Sequence, residues 1–122
     1  MRLVASLTEV CLVLGNFGSA EARSYRSDAF DGSWHLIFET RSGSCDPSYS
    51  FDVNVSNGNI SHPNLVRFRG RVSRSGAVRA SVTVQDKHAE GTGRLDATSG
   101  SGTWSGYSGT AKCGGIWRAT KA

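Results

Sequence analysis

The sequence has few of the features that mark a catalytic or membrane-spanning chain. Its three histidines fall on unrelated segments and no C-x-x-C or H-x-x-x-H spacing occurs, so a zinc site has no ligand set to build on. No Gly-x-Ser-x-Gly turn is present to raise a nucleophilic serine, and no strand, glycine-rich loop and helix follow one another as a phosphate-binding unit requires. No apolar run reaches the ~20 residues that a bilayer-spanning helix needs. Beyond Asp31 nothing repeats with the 3.6-residue period of an amphipathic helix, which excludes a helical bundle. Proline occurs only at Pro47 and Pro63, both in stretches that read as loops, so no strand interior is interrupted. The expectation is a non-enzymatic chain with no cofactor and no metal.

One domain is expected for 122 residues. Residues 1–22 read as an export signal: Met1-Arg2 is a basic start, 3–18 is mostly apolar, and Gly18-Ser19-Ala20 or Ala20-Glu21-Ala22 offers small residues for cleavage. Thr8-Glu9 places a charge in the apolar run, and Thr8-Glu9-Val10 before Cys11 is a poor lipoprotein signal. Residues 23–31 then form an extension and 32–122 the folded domain, in a periplasmic or secreted protein with no membrane span, a monomer being favoured. Cys11 departs with the leader, leaving Cys45 and Cys113, and an even pair in a small exported domain reads as a disulfide. From Arg23 onward there are 13 Lys and Arg against 8 Asp and Glu, a net of +5, which suits anionic partners and also serves solubility.

What is present after Asp31 is alternation, the pattern of half-buried strands. Trp34, Leu36 and Phe38 share one face of 33–40, with His35, Ile37 and Glu39 on the other. After a Gly/Ser/Asp/Pro loop at 41–47, Tyr49, Phe51, Val53 and Val55 alternate with polar residues as far as Asn57-Gly58, a two-residue hairpin signal. A short strand at 59–62 ends at Pro63. The next, 65–73, carries Val66, Phe68, Gly70 and Val72 on one face and Arg67, Arg69 and Arg71 on the other. Arg74-Ser75-Gly76 fits a three-residue hairpin that sets Ser73 opposite Ala77 and Arg71 opposite Arg79. Val78, Ala80, Val82 and Val84 line the return strand. A loop at 85–90, strands at 91–98 and 102–107 around a turn at Ser99-Gly100, a loop at 108–112 and a last strand at 114–120 complete the chain.

Eight short strands in a meander predict an all-β fold, a small eight-stranded antiparallel up-and-down barrel, with a two-sheet β-sandwich as the alternative. The first, third, fifth and seventh connections share one end, so Cys45 and Cys113 lie at the same end, on strands that become neighbours only if the barrel closes. A disulfide requires Cα atoms within about 7 Å, so this pairing itself argues for closure.

Three Gly-x-Trp triplets, Gly32-Ser33-Trp34, Gly102-Thr103-Trp104 and Gly115-Ile116-Trp117, bracket the domain. All three tryptophans read as core, with each glycine leaving bare backbone under an indole. With these triplets the chain resembles calycin-type barrels, the lipocalin and avidin-like group, over 32–120. It is also similar, through G-x-W near the start and C-G-G-x-W near the end, to small exported alphaproteobacterial domains of unknown function, a likeness that implies no activity. The lipocalin likeness implies an arginine on the last strand over the first tryptophan; Arg118 is the nearest candidate, although alternation sets it opposite Trp117. No biotin-contacting set can be placed position by position.

Two functional readings follow. In the first, the open end of the barrel, with Tyr49, His62, His88 and Tyr107, receives a small apolar or amphipathic molecule, although an interior this rich in Trp, Phe and Val reads as filled. In the second, Arg67, Arg69, Arg71 and Arg79 form an outer basic stripe for an acidic polysaccharide, lipopolysaccharide phosphates or an acidic protein face. Nucleic acid is disfavoured because exposed aromatics are not interleaved with the arginines. His62 and His88, near Asp46 and Glu90 at the long-loop end, read as solvated loop residues before they read as a proton-transfer pair. A secreted hydrolase inhibitor is a further reading by fold analogy alone.

Overall fold

A computed structural model describes residues 28–65 and 67–122. The export reading of 1–22, most of the 23–31 extension and the inward placement of Val66 lie outside the described residues. The chain runs through β1 (Gly32–Ser42), β2 (Ser48–Ser56), β3 (Asn59–Ser61), β4 (Phe68–Val72), β5 (Ala77–Val84), β6 (Lys87–Leu95), β7 (Ser99–Ser108) and β8 (Ala111–Lys121). Each strand pairs antiparallel with its neighbour in sequence, and β8 returns to β1 to close a barrel. The predicted meander is therefore the fold, and the sandwich alternative is set aside.

The alternating apolar positions build the interior. Trp34, Phe38, Val53, Val55, Ile60, Phe68, Val72, Val78, Val82, Leu95, Trp104 and Trp117 are all buried, Trp34 to 2%. The three indole N–H groups donate to backbone carbonyls: Trp34 to Phe30 at 2.9 Å, Trp104 to Glu39 at 3.0 Å and Trp117 to Thr92 at 3.1 Å. Each large apolar side chain is thus buried without leaving its one polar atom unpaired. The two C-terminal triplets interlock across β7 and β8, with Gly102 opposite Trp117 and Trp104 opposite Gly115. The bare backbone under an indole therefore comes from a neighbouring strand, not from the triplet's own glycine: a Cβ built on Gly93 or Gly102 would stand 2.5 or 2.6 Å from the Trp117 ring.

One end is closed by tight turns. Asn57 (φ 53°) and Gly58 (φ 80°) both take the left-handed conformation that their hairpin demands, and Gly76 (φ 94°) ends the loop after β4. Ser73 N–H donates to Ala77 and Arg71 stands opposite Arg79, the predicted register. The segment 28–31 covers this base: Phe30 packs on the core and Asp31 Oδ1 accepts from Asn57 N–H at 2.8 Å. Over the first tryptophan lies the Lys121 ammonium, 5.9 Å from the ring centroid. The lipocalin likeness had suggested Arg118 for this place; Arg118 points outward instead, as alternation requires, and binds Glu39.

Several boundaries differ from the sequence reading. β4 begins at Phe68, not 65, because Arg67 lies in a turn that closes on Leu65 through Phe68 N–H. The fifth connection is a two-residue turn at Gln85 (φ 56°) and Asp86, so 87–90 belong to β6, and Val84 pairs with Lys87. The seventh is a turn at Gly109 and Thr110, with Ser108 opposite Ala111. The sixth lies at 96–98, and Ser99 and Gly100 are strand residues paired with Thr120 and Leu95. At 87–90, 99–100, 108 and 111–112 polar residues with the composition of a loop are strand, whereas 65, 67 and 96–98 are in connections and not strand. A strand that projects past the core pairs its backbone without needing apolar side chains there.

The β1–β8 seam is held on the outside by Glu39, which receives Arg118 from β8 and Arg41 from its own strand. These two guanidinium groups hold the Glu39 carboxyl below the usual glutamate value of 4.5. A lowered folded-state value contributes stability that is complete above the unfolded value and is lost as pH falls through the lowered one. Wild type is expected to melt higher than Glu39→Gln above pH 4.5 and to converge with it in acid. Parallel melting curves over the whole range would show that the clasp adds nothing.

Candidate binding site at the mouth of the barrel

The other end carries the two longer connections, 43–47 and 62–67, and it is built differently. A β-bulge at Arg41 shifts the β1–β8 register between Thr40 and Ser42, and Gly43 (φ 86°) turns the chain inward. The loop then reaches Cys45, whose sulfur is joined to Cys113 on β8 with Cα atoms 6.0 Å apart. This is the predicted pairing, and it spans the seam where first and last strands meet. Tyr49 holds the same loop: its hydroxyl accepts from Asp46 N–H at 3.1 Å, while Thr40 N–H donates to Pro47 at 2.9 Å.

Below this clamp the interior is nearly full. Between Trp34, Val53, Ile60, Phe68, Leu95 and Trp117 only about 30 Å³ remains. Phe38 and Phe51 meet edge-on at 5.7 Å, Phe51 and Phe68 at 5.5 Å, and Phe38 lies 5.9 Å from Trp104, so an aromatic layer floors the mouth. Above that floor is a cavity of about 210 Å³, lined chiefly by Phe38, Tyr49, Phe51, Val82, Ala89 and Trp104, with Cys45 at its edge. Val84 and Tyr107, at 38% and 47% exposure, are two of the three large apolar side chains left in solvent among the described residues, and both border this cavity. The cavity is apolar almost throughout, and its walls are chiefly strands.

The four residues assigned to the mouth by sequence have different fates. Tyr49 lines the cavity. His62 does not border it; its ring stacks on Phe68 at 6.1 Å and meets Phe51 edge-on, and its Nδ1 accepts from the backbone N–H groups of Asn64 and Leu65. It caps the loop after Pro63. His88 and Tyr107 reach the cavity edge but, by alternation with the inward Ala89 and Trp104, they sit on the outer face. There they stack on each other at 5.6 Å. For His88 the cause is that 87–90 is strand and not loop, and the even positions of β6 point outward; Tyr107, its partner on β7, shares that face. His62 and His88 are therefore not brought together as a pair. Phe38, Val82 and Trp104 are legible as inward-facing, although which of them reach the rim depends on register and strand length; Ala89, in a stretch with the composition of a loop, is not legible.

On that outer face Thr83 Oγ1 lies 2.8 Å from His88 Nδ1, and Glu90 Oε1 lies 3.3 Å from His88 Nε2. Hydroxyl, imidazole and carboxylate in line resemble a nucleophile and its base. The Thr83 backbone N–H donates to the Arg67 carbonyl at 3.3 Å. No group of three or more His, Cys, Asp and Glu side chains able to hold a metal occurs among the described residues.

The arginines assigned to a stripe also divide. Arg69, Arg71 and Arg79 line one shallow groove on the outside of β3 to β7; Arg67, in the turn before β4, does not. Among the described residues no helix is long and apolar enough to cross a membrane.

Fold and site together define a class: a closed eight-stranded antiparallel barrel, disulfide-linked and compatible with a calycin-like fold, with a filled interior and an apolar recess at one end. No protein-family model, curated protein or solved structure matches this chain.

Proposed function

We propose that the protein is an exported, non-enzymatic binding module that holds a small apolar group in the disulfide-clamped mouth of its barrel. The observation that carries this reading is the 210 Å³ apolar cavity above a filled core. Pockets for drug-sized molecules run to roughly 300–1,000 Å³, whereas an apolar cavity of about 150 Å³ takes up benzene. The recess therefore suits a single ring, a short alkyl chain or the end of a longer acyl chain, not a whole lipid. The disulfide is consistent with an oxidising compartment such as a periplasm. The likeness to small exported alphaproteobacterial domains belongs to this same proposal.

Trp104 borders the cavity and reports on it. Titration with n-octanol is expected to give a saturable change in tryptophan emission. In Ala89→Leu, whose added side-chain atoms occupy the recess, that change is expected to be lost while the circular dichroism spectrum is kept. A linear response, or an undiminished one in the folded variant, would mean that the mouth is not a site.

A further inference from the structure

The outside of the barrel carries a second feature that the mouth does not explain. Arg69 and Arg71 alternate on β4, about 7 Å apart along one face, and Arg79 on β5 stands directly opposite Arg71. Like charges directly opposite one another destabilise a strand pair. On the same outer surface Arg41 and Arg118 bind Glu39, whereas Arg94 donates to the neutral Ser75 carbonyl at 2.7 Å. Among the described residues, none of Arg69, Arg71 and Arg79 lies within ion-pair distance of a carboxylate. Arg71 has only the neutral Asn59 Oδ1, at 3.2 Å. Glu90, the one carboxylate on the groove, is turned to His88. Three close positive charges left without counter-ions are a site for an anion.

The surroundings select the kind of anion. The three arginines line an open groove of about 1020 Å³ that crosses β3 to β7, and a second recess of about 570 Å³ sharing Arg71, Arg79 and Thr92 continues it toward the tight-turn end. An open track that spans five strands fits an extended chain rather than a compact ion. Its remaining walls carry hydroxyls, notably Ser61, Ser81, Thr92, Thr103 and Ser105. Hydroxyls donate and accept, as sugar hydroxyls do, while guanidinium forks take carboxylates two-pronged. The aromatic residues at the groove, Phe68 and Trp104, are buried in the core, so none is offered for base stacking, and single-stranded nucleic acid is disfavoured. We infer that the outer groove of β3 to β7 binds an acidic polysaccharide, with Arg69, Arg71 and Arg79 engaging carboxylates repeated along the chain and the Ser/Thr rows engaging its hydroxyls.

The test uses the full-length protein and polygalacturonate, followed by calorimetry at several salt concentrations. Wild type is expected to bind and to weaken steeply with salt. Arg71→Ser/Arg79→Ser is expected to lose at least tenfold in affinity with an unchanged or raised melting temperature in the absence of ligand. Arg67→Ser/Arg74→Ser removes the same charge away from the groove and is expected to bind as wild type does. Equal losses in the two double variants would reduce the binding to net charge and overturn the inference. So would absence of binding, or tighter binding to oligodeoxythymidylate or to polyglutamate than to the polysaccharide. Ala89→Leu is expected to keep polysaccharide binding, so failure at the groove and failure at the mouth are read separately.

Discussion

Gly102→Ala is expected to unfold the barrel, or to leave it roughly 4 kcal/mol or more less stable, an exceptional cost for one methyl group. An ideal Cβ at Gly102 would stand 2.0 Å from the Thr92 carbonyl oxygen, 2.6 Å from Trp117 Nε1 and 2.7 Å from Gly93 Cα. Two of these three neighbours are backbone atoms of the adjoining strand, and the third belongs to a buried indole that is hydrogen-bonded to Thr92. None can swing aside as a flexible side chain could. Relief requires β6 and β7 to separate where Gly93 faces Gly102, or Trp117 to leave its place and lose its bond. Small domains have only about 5–15 kcal/mol in all, so either response reaches the whole fold. The control is Gly114→Ala, whose Cβ would find Trp104 O at 3.2 Å and Ser42 Oγ at 3.5 Å. It is expected to stay within about 1 kcal/mol of wild type. Guanidinium titrations followed by circular dichroism compare the three proteins; equal midpoints would show that the β6–β7 approach is not tight.

Removing the disulfide ranks next. Cys45 and Cys113 are 68 residues apart in sequence, and their bond closes a loop containing most of the barrel. In the chain-entropy account, opening a loop of that length costs about 4 kcal/mol through greater freedom of the unfolded chain. Cys45→Ser/Cys113→Ala is expected to show this loss as a lower denaturation midpoint. Alanine is chosen at Cys113 because its side chain is buried, where a serine hydroxyl would need a partner. Wild type with reductant is expected to follow the same curve. The mouth is expected to suffer more than the base, because loop 43–47 loses its anchor to β8 while Trp34, Phe30 and Lys121 keep theirs. A loss below about 1 kcal/mol would mean that the β1–β8 ladder closes the barrel unaided.

Much of this architecture could be read from local chemistry. Asn57, Gly58 and Gly76 mark turns because few other residues tolerate positive φ, and they set the registers of β2 with β3 and β4 with β5. Period-two alternation put Trp34, Phe38, Val53, Val55, Val78 and Val82 inside, where they are. The pairing of Cys45 with Cys113 followed from counting which end each connection occupies, and it is present. What local chemistry misjudged was the rim. Gln85, Asp86 and Lys87 have the composition of a loop, yet only the first two turn, and His88 consequently faces outward, stacked on Tyr107 of β7.

The sequence by itself therefore determined the strand count, the inward face, the β2–β3 and β4–β5 hairpins and the cross-link, because each rests on neighbours a few residues apart or on the parity of connections. The tertiary structure alone decided that Trp117 lies against the glycines of β6 and β7, that Lys121 rather than Arg118 covers Trp34, and that a 210 Å³ recess remains above a filled core. It also decided that Arg69, Arg71 and Arg79, without Arg67, share one groove. These depend on how far each strand runs past the core and how strongly the closed sheet coils, which are properties of all eight strands together and of no single stretch.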